Sequence, residues 1–449
     1  MLCALAVSTP VTAMARTLLH ATLLRSTPAA NSRIAKFPEA IRLVFSEQVV
    51  PELSQITLVL SSGDSVRLKV ANDPHDVHTL TGTGPAGAAW PGGPSKIVWR
   101  VLSADGHPVG GNFSFTVTTG AAAASTTPVV TPAPIRPAPM DTSAIQIAAP
   151  ATAPIAAAEE KPIPVMAALF RGVGLGAFMI GIGVLFFGLT AGERRTLIPG
   201  AVVTSLIAVG TLLLVAHAIA WVEHISPTVK PTGSFISSVL ASNVGRVELA
   251  RVVLAVLTLW GIALARHRKI ALGLGIACIL LSGAVGHPAA IHPLLAIPTK
   301  AVHLLAASVW GGGLVWLLWV ARQDMRACEI EARRVSSIAL FAVIAILLTG
   351  LIQTVLFLNT PSDLFRYDYG KLVFNKIVGL LILIGFGVYN KYKLVPQVET
   401  AETQRKLSRS VKLELAIMTV VILLSGFVAY EPTPPAPQAA IPSTTENAP

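Results

Sequence analysis

Three of the ten histidines in this 449-residue chain fall within one short stretch, 282–314, which reads SGAVGHPAAIHPLLAIPTKAVHLLAASVWGGGL. An apolar run closes at Gly286-His287-Pro288. A turn then carries His292-Pro293, and a second apolar run begins with His303 about one turn inside it. Imidazole is costly in hydrocarbon, so each such histidine needs a partner or a task. Together they suit a metal or redox-cofactor site, while interhelical hydrogen bonds are the plainer reading of the same residues. His217 and His224 lie in an earlier apolar run at i, i+7. That spacing gives them one helix face but separates them by about 10.5 Å along the axis, too far for one ion. They are successive stations, or one of them joins a site completed by His287, His292 or His303. Imidazole serves copper, zinc and iron alike, so ligand type does not select the metal. Cys278 and Met179 are soft ligands or simple packing groups.

A second constellation lies near the amino terminus. In Ser103-Ala104-Asp105-Gly106-His107 the pair Asp105 and His107 forms a D-x-H, which offers one oxygen and one nitrogen to a cation or is simply a turn. Glu47, after Phe45-Ser46, and His20 are the residues that can complete such a site.

The elements that must position these groups follow from composition. With 53% hydrophobic and 13% charged residues, the chain is too apolar for an ordinary soluble protein and reads as a polytopic membrane protein whose solvent is the lipid bilayer. The net charge of +11 does not indicate nucleic acid, because the basic residues sit between the apolar runs. Cys3, Cys278 and Cys328 form no CxxC pair or other metal-ligand spacing, and no disulfide framework.

Residues 1–19 read as an export signal, with an apolar run before Ala13-Met14-Ala15, an A-x-A cleavage pattern. Residues 20–118 read as a small all-β domain, a sandwich or barrel with strands at 41–45, 56–60, 66–70, 97–101 and 112–117. Residues 119–162 are an Ala/Pro/Thr-rich linker, and 432–449 a Pro-rich tail. Between them, 163–431 holds eight apolar spans near 164–190, 197–222, 247–265, 270–287, 297–320, 335–358, 372–392 and 412–430. Basic residues concentrate in alternate loops, from Arg194 and Arg195 through Arg266, Arg268, Arg322 and Arg334 to Lys391 and Arg409. The positive-inside rule puts those loops in the cytoplasm and both termini outside. On this topology His217, His224, His287, His292 and His303 share the outer side, and His267 lies on the cytoplasmic one. Glycines at 172, 174, 176, 181 and 183, and again at 311–313, suit close helix packing.

These stretches carry a family resemblance. His20-Ala21-Thr22-Leu23-Leu24, Leu43-Val44-Phe45-Ser46-Glu47 and the run Val98-Trp99-Arg100-Val101-Leu102-Ser103-Ala104-Asp105-Gly106-His107-Pro108 resemble CopC, a periplasmic copper-binding protein. The stretch 303–314, Tyr369-Gly370-Lys371-Leu372 and the terminal helix before Pro434-Pro435 resemble its inner-membrane partner, CopD. The chain thus resembles a CopC–CopD fusion. The resemblance implies a Greek-key β sandwich that binds Cu(II) through an amino-terminal His with its amine, the D-x-H pair and a Glu. Those roles carry over to His20, Asp105, His107 and Glu47. Cleavage after Ala15 would leave Arg16-Thr17-Leu18-Leu19 ahead of His20, which would then lack the free amine. No methionine occurs between Met14 and Met140, so the Met-rich Cu(I) site of some members is missing.

The resulting expectation is a copper-handling protein of the bacterial inner membrane, not an enzyme. Its β domain captures Cu(II) and passes it to a histidine-lined membrane entry, for uptake or resistance, with periplasmic or cytoplasmic copper chaperones as further partners. No GxxxxGK[ST] loop is present to couple transport to ATP hydrolysis. Two other readings remain: a haem-binding electron carrier using His217 and His303, and a copper sensor or buffer without transport.

Overall fold

Alternating apolar residues in short strands and long apolar runs elsewhere require two kinds of packing, and the computed structural model contains both. It describes residues 21–85, 92–103, 106, 108–118, 164–192, 197–225, 233–264, 267–290 and 293–434. The chain divides into a β unit and a helical unit.

The β unit comprises β1 (Leu23–Thr27), β2 (Arg33–Ile34), β3 (Ala40–Phe45), β4 (Val49–Val59), β5 (Ser65–Arg67), β6 (Lys69–Asp73), β7 (Asp76–Thr83), β8 (Gly93–Ser103) and β9 (Pro108–Val117). They form two sheets, ordered β1-β3-β7-β6 and β2-β9-β8-β4-β5. Period-two alternation puts Ile41, Leu43 and Phe45 of one sheet, and Ile56, Leu58, Ile97, Trp99, Phe113 and Phe115 of the other, in a common interior. Phe45 and Trp99 meet across it edge to face at 5.2 Å. The expected strand 66–70 is two strands: β5 pairs with β4 and β6 with β7. The chain changes sheet at Leu68, whose N–H donates to the Ile56 carbonyl at 2.9 Å. Alternation persists through a sheet change because each half still buries one face, so periodicity alone does not reveal it.

In the helical unit the principal helices are α1 (Val165–Leu189), α2 (Gly200–Ile225), α3 (Gly233–Ala241), α4 (Asn243–Ala263), α5 (Arg268–Ser282), α6 (His287–Ala290), α7 (Pro293–Val320), α8 (Met325–Phe357), α9 (Asp363–Arg366), α10 (Asp368–Tyr389) and α11 (Ala401–Val428). A helix stands at each of the eight expected spans. Among the described residues, six of them are long and apolar enough to cross a membrane: α1, α2, α7, α8, α11 and the segment that begins with α10. The other two fall short for physical reasons. α4 carries Arg246, Glu248 and Arg251, and α5 has only 15 residues.

α1 is the central element and packs against α2, α7 and α11. Its glycines make this geometry possible. A Cβ on Gly183 would overlap the Ser308 carbonyl of α7, and one on Gly312 would overlap the Gly183 backbone. Gly172 meets Gly426 of α11 in the same way. At the α1–α7 crossing, Ser308 Oγ donates to the Met179 carbonyl at 2.6 Å. Close backbone approach with small residues is how helices associate where no hydrophobic force separates protein from lipid.

Replacing Gly312 with Val should therefore push α7 off α1. The expected outcome is a lower thermal midpoint and reduced yield of monodisperse protein in detergent. In the β unit, a Cβ on Gly111 would lie 2.6 Å from Trp99 Cζ2. Gly111→Ala should thus destabilise the β unit by about 1–3 kcal/mol, read by denaturant unfolding of Trp fluorescence.

Candidate metal-handling site

The β-unit ligand set is only partly within the described residues. Glu47 is buried, just past β3, and Ser46 beside it is tied to Thr22 in both directions. The Ser46 N–H donates to the Thr22 carbonyl at 2.9 Å, and the Thr22 N–H donates to Ser46 Oγ at 3.0 Å. This fixes the start of the described chain against the Phe45-Ser46-Glu47 stretch. Gly106 takes a left-handed φ of +91° and its N–H donates to the Ser103 carbonyl at 2.9 Å, closing the turn that the D-x-H spans. His20, Asp105, His107 and His292 themselves lie outside the described residues.

Five further polar residues, Asp73, His75, Asp76, His78 and Thr79, which the sequence reading passed over, gather at the β6–β7 turn. Thr79 Oγ1 donates to Asp76 Oδ2 at 2.6 Å, and His78 Nδ1 stands 3.2 Å from Asp76 Oδ1. The Thr79 hydroxyl and the His78 N–H hold the Asp76 carboxyl below its ordinary range. The His75 N–H does the same for Asp73, with Arg42 adding to it. These bonds stabilise a surface turn.

In the helical unit, the described histidines are held one by one. His217, buried on α2, places Nδ1 3.2 Å from the Ala167 carbonyl of α1 and 3.3 Å from the Tyr430 hydroxyl. A carbonyl only accepts, so Nδ1 carries the proton and Nε2 keeps its lone pair. His224 faces the same Tyr430 ring, at 6.4 Å between centroids. His287, buried on α6, donates from Nε2 to the Glu431 carbonyl at 2.9 Å and packs edge-on to Phe357 and Tyr369. The segment after α11, Tyr430-Glu431, thus links the histidines of α2 and α6. Tyr369 makes its contact with His287 from the first turn of α10, where Asp368 and Lys371 pair with each other at 2.8 Å.

His303 is set in a different environment. Its Nδ1 lies 2.9 Å from Thr349 Oγ1 of α8. The Thr349 hydroxyl donates to the Ala345 carbonyl at 2.5 Å, so it accepts from His303 and leaves Nε2 unprotonated. Lys300 and Lys376 stand within electrostatic reach of this ring. The tautomers of His217 and His303 are those of a ligating histidine, whose second nitrogen donates to a protein oxygen. Both bonds are also interhelical ties. Among the described residues no three His, Cys, Asp or Glu side chains converge to hold a metal ion. Cys278 and Met179 are buried in the helical core, the thiol donating to the Arg251 carbonyl at 3.4 Å. Trp310 and Trp316 are packing groups, and Trp316 Nε1 donates to buried Glu331 at 2.9 Å.

The residues missed by sequence reading are the charges inside the bundle. Arg251 Nη1 donates to both oxygens of Glu248, at 2.7 and 2.6 Å, and its Nε donates to Ser282 of α5 at 3.0 Å. Both members of the pair are buried. Lys300 is inside α7 and donates to the Val285 carbonyl at 2.7 Å. Glu414 of α11 is buried and bonded by Asn390. The available signal was a lone charge within an apolar run, which in a membrane segment marks a paired or functional group.

With this geometry in place, comparison with known proteins is informative. A CopC domain model matches residues 23–118, and a Copper resistance protein D model matches 330–428. The Inner membrane protein YebZ of Escherichia coli (strain K12) is 30% identical over 248 residues, 51% of this chain and 81% of that protein. The chain belongs to the CopC–CopD copper resistance family. The Copper transport protein CutJ of Bacillus subtilis (strain 168) is 24% identical over 93% of this chain and 75% of its own. Copper resistance protein C of Escherichia coli is 34% identical over 22% of this chain and 81% of its own. The β unit of this CopC–CopD chain is thus its CopC domain. The Copper resistance protein D match runs from α8 to α11. It includes Thr349, Lys376 and Glu414, while His217, His287 and His303 precede it.

Removing one partner of a buried ion pair strands the other, at a cost of about 3–5 kcal/mol. Glu248→Ala should therefore lower the thermal midpoint of the purified fusion more than the double change Glu248→Leu with Arg251→Leu. Thermal unfolding of the three proteins side by side checks this.

Proposed function

We propose that this CopC–CopD fusion captures Cu(II) in its β domain and passes it to the helical domain for movement across the bacterial inner membrane, in copper uptake or resistance. The observation that carries this reading is the union of a CopC domain and a CopD region in one chain, matched over 93% of its length by a protein named for copper transport. In the β domain the ligands are His20, Glu47, Asp105 and His107. Carboxylate and imidazole donors suit Cu(II) in tetragonal geometry.

In the helical domain all eight long helices span the bilayer, α4 with its Glu248–Arg251 pair turned inward and short α5 beside it. Both termini face outward, as the basic loops require. His217, His224, His287, His292 and His303 form the copper entry. Two features support this role. The lone pairs on Nε2 of His217 and His303 are each backed by an N–H bond to a protein oxygen. His217, His224 and His287 also cluster around Tyr430-Glu431. Stations of one or two imidazoles bind loosely enough for an ion to leave, as conduction requires. Copper chaperones on either side of the membrane are the fitting donors and acceptors.

Two experiments test the proposal. Titration of the full-length protein with Cu(II) should show His107→Ala weakening the tightest site by at least about tenfold, as expected for loss of a direct ligand. Equal affinity would refute the β-domain ligand set. Copper accumulation in cells expressing His217→Ala with His303→Ala, at matched membrane levels, should fall to the level of cells lacking the protein, whereas His267→Ala should accumulate normally. Wild-type accumulation by the double variant would assign these histidines to structure alone.

A further inference from the structure

Glu414 stands midway along α11, in a segment long and apolar enough to cross a membrane, and is 1% exposed. Its hydrogen bond comes from the Asn390 amide, and among the described residues it makes no ion pair. Asn390 is itself buried, and its Oδ1 has no hydrogen-bond partner among the described residues. An unpaired carboxylate is costly away from water, and an orphaned acceptor beside it adds to the cost. One proton on the carboxyl removes both problems. It neutralises the group and adds a hydroxyl donor next to the amide oxygen. Two oxygens, one of them a neutral amide, are too few for a metal ion that takes oxygen ligands.

Both residues line a cavity of about 170 Å³ between α7, α8, α10 and α11, with room for several water molecules. All four helices belong to the unbroken described stretch 293–434. The wall is mostly apolar, and α7 and α8 contribute no charged residue to it. Lys391 and Tyr392, from the turn after α10, are the other titratable groups on the lining, and neither bonds to the carboxyl. Arg409 and Lys412 of α11 itself are off the lining, and Glu331 and Arg334 of α8 pair with each other. Lys376 of α10 stands near His303 instead. α1, also packed on α11, carries one charge, Arg171, beside Gly172, which meets Gly426 more than three turns beyond Glu414. At Asn390 the chain leaves α10 through a π-helical turn, Asn390–Leu394, a departure from regular helix that is frequent at functional sites. Tyr392 is exposed, so the cavity joins the buried carboxyl to the surface at the end of the bundle that the basic loops assign to the cytoplasm.

We propose that Glu414 is the proton-binding site of a proton-linked copper transport cycle. The proton passes between cytoplasmic water and the Glu414 carboxyl through this cavity, loading it in one state of the cycle and leaving it in another. α7 connects the two ions, since it carries His303 and, two turns on, Trp310 of the cavity wall. With no GxxxxGK[ST] loop in the chain, a proton gradient is the fitting source of energy. The coupling rests on the copper-transport reading above; the proton site itself does not.

The first test uses the full-length wild-type protein, copper-free in detergent, and so does not rely on a variant folding. It is treated with dicyclohexylcarbodiimide, an apolar reagent that adds to a neutral carboxylic acid and leaves a stable N-acylurea. Peptide mass mapping should find one reagent mass on Glu414. Its yield should fall as the pH is raised, because the carboxylate does not react, and should be unchanged by sodium. No adduct on Glu414, a yield independent of pH, or protection by sodium would each overturn the site. For the coupling, the full-length protein is placed in vesicles enclosing a pH-sensitive dye, and copper is added outside. In the wild type the enclosed pH should change as copper enters, Glu414→Gln should lose that change, and Glu414→Asp should keep part of it. Copper entry without a pH change, or an equal change in folded Glu414→Gln, would overturn the coupling. A labelled Glu414 in a protein that moves no copper would refute the transport reading and the coupling with it, while supporting the proton site.

Discussion

Close backbone contact between α1 and its neighbours is the constraint on which the helical domain depends. Lipid is as apolar as leucine, so burying side chains gives little reason for helices to prefer one another to the bilayer. Contact at the backbone does, because dispersion and polar bonds between helices act only at short range. Gly183 against Ser308 and Gly312, and Gly172 against Gly426, supply that contact. Once α7 and α11 are seated on α1, Ser308 reaches the Met179 carbonyl and the end of α11 comes beside α2.

That seating determines the chemistry at one end of the bundle. Tyr430 follows the last turn of α11, and only the α1–α11 crossing brings it to His217 and His224. The next residue, Glu431, meets His287 through its carbonyl. The same end contains Glu248, Arg251 and Arg171, so imidazoles and fixed charges share one low-dielectric neighbourhood. A cation brought here meets lone pairs on imidazole. His303 is separate, tied to Thr349 of α8 with Lys300 and Lys376 nearby.

In the CopC domain the corresponding constraint is the interior shared by two sheets. Phe45 and Trp99 meet there, and Gly111 leaves room for the indole. The position of Glu47 follows from this packing. Phe45 points inward two residues earlier, and Ser46 is fastened to Thr22.

Much of this was legible in the sequence. Composition and run length required membrane helices, alternation required a sandwich or barrel, and particular motifs carried the family. The glycines of α1 and α7 announced close packing because a missing Cβ has few other uses inside an apolar helix. Histidine positions were readable as well, since imidazole is rare and costly there. The identity of their partners was not. His217 bonds to Ala167, 50 residues away, and is joined by Tyr430, 213 residues away. Such pairs depend on which helices cross and at what depth, and periodicity within one helix carries no record of that. The sheet change at Leu68 was hidden because both halves of the run keep the same alternation. Glu248 and Arg251 stood in plain view in one apolar run, but the Ser282 hydroxyl that accepts from Arg251 lies 31 residues away on another helix. Only the tertiary structure, by packing α4 against α5, decided that partner.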